Sequence, residues 1–287
     1  VSLANAPIIF ITGSNGKSTV TELVGLMARE NNINVQVGGN IGRPALDTIS
    51  ENCELYILEL SSFQLEMCSN LRSSIACILN ITEDHLDRHG SIENYKKIKQ
   101  KIYKNCKVCI FNRGDISTYP VGNKIKSLIS FGLDEAVGQD YGLVVKNNET
   151  FVSKGKQIIT NIKTFSPKGD HNLLNALSAI AIAEAAGMNH ESIASALQKF
   201  KGLPHRCEKV VKTSNVTFYN DSKATNTGAT IAAIEGLAKN FTGKLIILIG
   251  GKSNQDDFSK LFSLLEKINH QLILFGESVE KSPTVSR

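Results

Sequence analysis

The sequence predicts an α/β fold: a phosphate-loop central domain with a largely parallel sheet and a small antiparallel appendage, followed by a second, Rossmann-like α/β domain. Two observations predict it. Short apolar runs alternate with helical periodicity along the chain, and a glycine-rich turn joins the first run to the first helix.

In order, the strand-like runs are Ile8–Ile11, Leu55–Leu60, Ile75–Ile81 and Val108–Phe111, then Val216–Tyr219, Leu245–Ile249 and Leu272–Phe275. The first helix is read over Thr19–Arg29, where apolar residues recur with a helical period. Tyr141–Thr160 reads as two strands around the turn Asn147-Asn148-Glu149, an antiparallel hairpin appended to the sheet. Helical patterns over His171–Ala186 and Glu191–Phe200 precede Lys201-Gly-Leu-Pro-His205, whose glycine and proline break the chain. That break divides it into residues 1–203 and 204–287.

With 287 residues, 41% hydrophobic and 21% charged, the chain is long enough for two medium domains. The net charge of +5 is dispersed, densest over Lys96–Lys107, which is a weak footprint for nucleic acid and a better match to an anionic nucleotide or sugar phosphate. No stretch approaches the roughly 18 apolar residues of a membrane span, and no signal-peptide pattern opens the chain, so no membrane insertion is expected. Six cysteines, Cys53, Cys68, Cys77, Cys106, Cys109 and Cys207, lie mostly among apolar neighbours without a disulfide-like framework, which implies a reducing cytoplasm. Cys106 and Cys109 have zinc or redox spacing, but no second pair, and are read as core thiols.

Gly13-Ser-Asn-Gly-Lys-Ser-Thr19 has the layout of a phosphate-binding loop between a strand and a helix. Glycines let backbone N–H groups turn toward a polyphosphate, Lys17 supplies a point charge for its terminal phosphates, and the Ser18 hydroxyl can ligate Mg²⁺. Gly13 and Gly16 are two residues apart, whereas the usual loop has four between its glycines. A plain helix-capping turn is the other reading of these residues.

Glu59 ends a strand-like run, and in a parallel sheet the carboxyl ends of strands face the ligand crevice, where a carboxylate can hold a metal or simply face solvent. Thr82–Gly90 follows the next run and places His85 among carboxylates, as a ligand, a phosphate contact or a surface loop residue. At about 100° per residue, Ile92, Tyr95, Ile102 and Tyr103 share a helix face with Lys99 near its centre, opposite Lys97, Lys101 and Lys104. Lys99 is then either a snorkelling lysine with a packed stem or a buried amine held neutral, which can add CO₂ and become an anionic carbamate.

Seven segments together resemble the Mur ligase family: Gly13–Thr19, Gly39–Leu46, Glu59–Glu66, Thr82–Gly90, His171–Asn175, Leu203–Glu208 and Asn220–Asn226. They follow in order over nearly the whole chain, and Glu59–Glu66 and Asn220–Asn226 resemble the branch that adds D-glutamate to UDP-N-acetylmuramoyl-L-alanine. The resemblance implies ATP-dependent ligation through an acyl phosphate in cytoplasmic peptidoglycan synthesis, by a monomer. It implies nucleotide contacts from Gly13, Ser14, Asn15, Gly16, Lys17, Ser18, Thr19, Asn175, Arg206 and Asp221, with Asp221 at the ribose. Asn40 would contact the UDP-sugar, and Lys223 and Thr225 would lie near D-glutamate. Ser18 and Glu59 would bind one Mg²⁺, while His85 and carbamylated Lys99 would serve a second; Lys17, Glu59, His85 and Lys99 form the catalytic set.

The segment Gly250-Gly-Lys-Ser-Asn254 departs from the family, with Asn254 where a basic residue is usual and Lys252 two positions early. The family's N-terminal uridine-binding domain has no counterpart, and the end of its C-terminal domain is missing. The resemblance therefore implies a complete central ATP-binding domain, 1–203, plus a partial Rossmann-like α/β domain, 204–287, that is part of the family's C-terminal domain, the whole expected to be inactive alone. A folylpolyglutamate synthase-like ligase shares the phosphate loop but not Glu59–Glu66. A non-enzymatic nucleotide-binding module would need neither Glu59, His85 nor Lys99.

Overall fold

The computed structural model describes residues 2–122, 127–167, 169–239, 243–250 and 258–276. The chain divides into two compact units, Val1–Gly202 and Leu203–Arg287.

The first unit is built on a nine-stranded sheet ordered β2-β3-β1-β4-β5-β6-β7-β8-β9. Its parallel strands are β1 (Ile8–Thr12), β2 (Val35–Gly39), β3 (Leu55–Glu59), β4 (Ser73–Ile78), β5 (Cys106–Asn112) and β6 (Ser127–Phe131), with β7 (Tyr141–Lys146) joining β6 in parallel. The antiparallel part is a continuation of this sheet and has three strands, β7, β8 (Glu149–Lys154) and β9 (Gln157–Asn161). Asn147 and Asn148 both have positive φ, 50° and 60°, the backbone of a tight two-residue hairpin whose twist matches its strands. The expected two-strand appendage overlooked a second turn at Gly155, φ 50°.

After β1 the chain moves outward to β2 and returns through β3; it then crosses to the other side of β1 to form β4. The strand order therefore reverses between β1 and β4, and the carboxyl ends of strands at such a switch point are where open parallel sheets bind ligands.

Helices α1 (Lys17–Glu30), α5 (Asp170–Ala185) and α6 (His190–Lys199) pack together on one face. On the other lie α2 (Ser62–Met67), the single turn α3 (Leu86–His89) and α4 (Ile92–Gln100). Ile8 and Phe10 share a buried cluster with Tyr56, Leu58, Ile78, Tyr95, Ile98 and Ile102, so this face of β1 meets α4. By strand alternation Ile9 and Ile11, also fully buried, face the α1 side. Each such burial contributes about 1.5–3 kcal/mol.

In the second unit β10 (Glu208–Lys212) and β11 (Thr217–Asn220) form an antiparallel pair. Strands β12 (Leu245–Gly250) and β13 (His270–Phe275) pair in parallel. Ile234 of α7 (Thr227–Ala238) and Leu261 and Leu265 of α8 (Ser259–Leu265) pack with Leu245, Ile247, Ile249 and Leu272. Lys252 and Asn254 lie outside the described residues.

All six cysteines are free; Cys53, Cys77, Cys106 and Cys109 are buried, whereas Cys68 and Cys207 are partly exposed. Cys106 and Cys109 have their sulfurs 2.9 Å apart inside the core. Among the described residues no three His, Cys, Asp or Glu side chains gather as a metal cluster, and no helix is long and apolar enough to cross a membrane.

Candidate functional site

The glycine-rich turn stands at the carboxyl end of β1, and α1 starts at Lys17. Gly16 has φ +80°, and a Cβ there would collide with the Asn175 carboxamide of α5, so the glycine is required twice over. Lys17 Nζ folds back to donate to the carbonyls of Gly13 at 2.9 Å and Ser14 at 2.8 Å, lying across the loop mouth. Ser18 and Thr19 are buried in the first turn of α1.

Lys99 is 1% exposed, and its amine donates to the Gly13 carbonyl at 2.9 Å, with Thr12 Oγ1 at 3.4 Å. The Nζ also lies 4.6 Å from the centre of the Tyr95 ring. Burial, and after it the charge of Lys17, hold this amine's pKa well below the ordinary lysine value, against weaker upward pulls from Asp84 and Glu59. A snorkelling head group is excluded; the side chain ends inside the protein beside the loop.

Glu59, also 1% exposed, sits at the end of β3 opposite Ile11 of β1 and Gly39 of β2. Its Oε1 accepts from Asn40 Nδ2 at 2.7 Å, while Oε2 is buried with no hydrogen-bond partner. A Cβ on Gly39, φ +106°, would strike the Glu59 carbonyl, so the bare backbone lets the segment carrying Asn40 close over Glu59. A buried carboxylate oxygen without a donor is costly, and a hydrogen-bond donor, a water molecule or a cation could satisfy it.

His85 has φ 53° at the start of α3; its Nε2 is 3.7 Å from Asp84 Oδ1 and its ring 4.9 Å from Phe63. The imidazole is partly open to solvent. The first unit thus brings Lys17, Lys99 and Gly13 into contact, and it places Glu59 and Asp84 within electrostatic reach of Lys99.

Arg206, Asp221, Lys223 and Thr225 belong to the second unit. Asp221 Oδ1 accepts from the Cys207 N–H at 2.8 Å, and burial raises its pKa despite that bond and the nearby charge of Arg206. Lys223 N donates to the His205 carbonyl at 3.1 Å, tying the Leu203–Glu208 and Asn220–Asn226 segments together. His205 and Cys207 have positive φ, 65° and 48°. Lys223 and Thr225 are exposed, and Asn226 caps α7 by accepting from Ala229 N at 2.8 Å.

Sequence reasoning overlooked the residues that shape the loop from outside. Tyr95 puts its hydroxyl 3.2 Å from Ser14 Oγ; a tyrosine on an apolar helix face signals a hidden hydroxyl partner. Asn80 interrupts an apolar run at a strand mouth and bonds the loop backbone at Asn15.

The Mur ligase middle-domain model matches residues 11–183, and that of the Mur ligase glutamate-ligase domain matches residues 205–286. Two relatives named UDP-N-acetylmuramoylalanine--D-glutamate ligase are similar. That of Legionella pneumophila strain Paris is 44% identical over 96% of this chain and 63% of its own length. That of Escherichia coli K12 is 47% identical over 95% of this chain and 61% of its own. The chain thus spans less than two thirds of either. Among solved structures, the MurF ligase from Thermotoga maritima in complex with ADP aligns with TM-score 0.74 at 19% identity, over 98% of this chain and 68% of that one. A pseudomurein peptide ligase type C from Methanothermus fervidus aligns with TM-score 0.71 at 17% identity, over 98% of this chain and 70% of that one. With both domain models in sequence order and the phosphate loop at the carboxyl edge of a parallel sheet, the chain belongs to the Mur ligase family.

Proposed function

We propose that this chain handles the nucleotide in an ATP-dependent ligase that joins D-glutamate to UDP-N-acetylmuramoyl-L-alanine in cytoplasmic peptidoglycan synthesis. What carries the reading is identity of 44% and 47%, spread over 96% and 95% of the chain, to ligases named for that reaction. The site's chemistry supports it. Phosphoryl transfer asks a protein for positioning and charge neutralisation rather than covalent help; the loop and Lys17 would supply both, and the orphaned oxygen of Glu59 would hold a cation that adds to the second.

In this reading Gly13 through Thr19 cradle the triphosphate, with Asn175 against the loop and Arg206 and Asp221 on the rest of ATP. Lys17 exchanges its bonds to the Gly13 and Ser14 carbonyls for bonds to phosphate. The alanyl carboxylate takes the terminal phosphoryl group, the D-glutamate amine attacks the acyl carbon, and phosphate departs. Asn40 orients the sugar nucleotide, and Lys223 and Thr225 orient D-glutamate.

Ser18 and Glu59 would hold one Mg²⁺, and His85 with Lys99 a second. Mg²⁺ bound there would neutralise charge on the transferring group. The depressed pKa of Lys99 leaves a nucleophilic amine, which adds CO₂ by forming an N–C bond and releasing a proton to water. The carbamate nitrogen keeps one hydrogen, enough to retain the bond to Gly13.

The test offers the full polypeptide UDP-N-acetylmuramoyl-L-alanine or a folate as acceptor, with ATP and D- or L-glutamate, and identifies products by mass. The sugar nucleotide should gain D-glutamate. Glutamate added to the folate alone would overturn the proposal.

A further inference from the structure

We propose that Asn80 is a positioning residue that gives the shortened phosphate loop its nucleotide-ready shape and ties it to the segment carrying His85. The inference deepens the phosphate-loop reading above and rests on it.

Gly13 and Gly16 leave only Ser14 and Asn15 between them, so the loop's arc is tight, and Lys17 Nζ clamps it from within at the Gly13 and Ser14 carbonyls. Bracing comes from the segment that follows β4. The Asn80 carboxamide accepts from Asn15 N at 2.8 Å through Oδ1 and donates from Nδ2 to the Asn15 carbonyl at 3.1 Å. A carboxamide carries a donor and an acceptor in one plane, so it can pair with both backbone groups of one residue, as a neighbouring strand would. The Asn80 carbonyl in turn accepts from Ser14 N at 2.9 Å.

Two residues further on the pairing continues through a side chain. Ser14 Oγ lies 2.9 Å from the Thr82 carbonyl and 3.0 Å from the Thr82 N–H. At the other end a Cβ on Gly13 would stand 3.0 Å from Leu79 Cβ, so the loop and the post-β4 segment lie close together there. The segments leaving β1 and β4 are thereby joined side by side, and the joined strip runs on to Asp84 and His85.

Two consequences follow. The Asn15 N–H points at Asn80, so the loop's phosphate contacts fall to its other donors. The loop is also held in shape before nucleotide arrives, which removes an ordering cost from binding.

The experiment measures affinity for a fluorescent ADP, and steady-state kinetics, on the full polypeptide carrying Asn80→Ala. A control, Asn105→Ala, removes the donor to the Leu71 carbonyl at the opposite, amino end of β5. Asn80→Ala should weaken ADP binding about tenfold and raise KM for ATP similarly, with kcat at saturating ATP within about twofold of wild type. Asn105→Ala should bind ADP normally even if its melting temperature falls further. Wild-type affinity in Asn80→Ala, or affinity that tracks melting temperature in both variants, would overturn the proposal. A wild-type polypeptide that binds no ADP would remove the phosphate-loop reading itself and this proposal with it.

Discussion

The amine of Lys99 donates to the carbonyl of Gly13 at 2.9 Å, joining the buried face of α4 to the first glycine of the phosphate loop. Lys99 therefore touches the glycine-rich loop although it lies 86 positions away in sequence. Replacing it with Ala should reduce turnover at least about a hundredfold, the scale of losing a preorganised electrostatic group. Short carboxylates added to the buffer should partly restore the rate by occupying the vacated space. Activity that is undiminished, or diminished without rescue, argues against a carbamate.

Burial of that lysine opposes folding, because its charge must be given up or desolvated. Lys99→Met should therefore melt at or above the wild-type temperature in CO₂-free buffer while losing ligation, a separation of stability from function. A clear fall in melting temperature would mean that the bonds to Gly13 and Thr12 outweigh the burial cost.

Glu59→Gln keeps an oxygen for Asn40 and removes the charge beside the unpartnered Oε2. Turnover should fall about a hundredfold or more, with little change in thermal stability and a higher Mg²⁺ requirement. An unchanged Mg²⁺ titration would show that this carboxylate faces no cation.

Gly16→Ala must accommodate both φ +80° and the Asn175 carboxamide. Backbone strain of this kind costs about 1–3 kcal/mol. Denaturant melts should show that loss, and nucleotide affinity should fall with it. A fully stable variant would imply that the loop readily changes conformation.

The α1–α6 junction supplies a pH test. Lys199 and Ser195 hydrogen-bond Glu30, and these bonds lower its pKa below the ordinary 4.5. A carboxyl group depressed on folding contributes stability above its unfolded pKa, and that contribution is lost as pH falls through the folded value. Glu30→Gln should therefore be less stable than wild type near neutral pH, with the gap closing as the pH falls below the ordinary 4.5 and through the lower folded value. A gap that persists unchanged in acid would assign the effect to packing.

The strands flanking the phosphate loop were legible because β1, β3, β4 and β5 are apolar on both faces, the pattern a covered parallel sheet requires. β2 was not, since Gly38 and Gly39 dilute its apolar pattern for a steric reason: a Cβ at either would hit backbone of Arg43 or Glu59. β10, with sequence EKVVK and little burial, carries no strand signal apart from its pairing. Within the site, Lys99 could be singled out because one helix face exposes a misplaced charge. Asn80 contributes through backbone atoms of a loop 65 positions away, a relation that only the fold creates.

Whether a cradled triphosphate, with Glu59 and Lys99, activates a sugar-linked carboxylate for amide formation is tested most directly by phosphate release from the full polypeptide with ATP and UDP-N-acetylmuramoyl-L-alanine, with and without D-glutamate. Release should need the sugar nucleotide, rise steeply with D-glutamate, match amide product one for one, and collapse in Lys99→Ala. Release indifferent to both acceptors, or unaffected by that substitution, would contradict it.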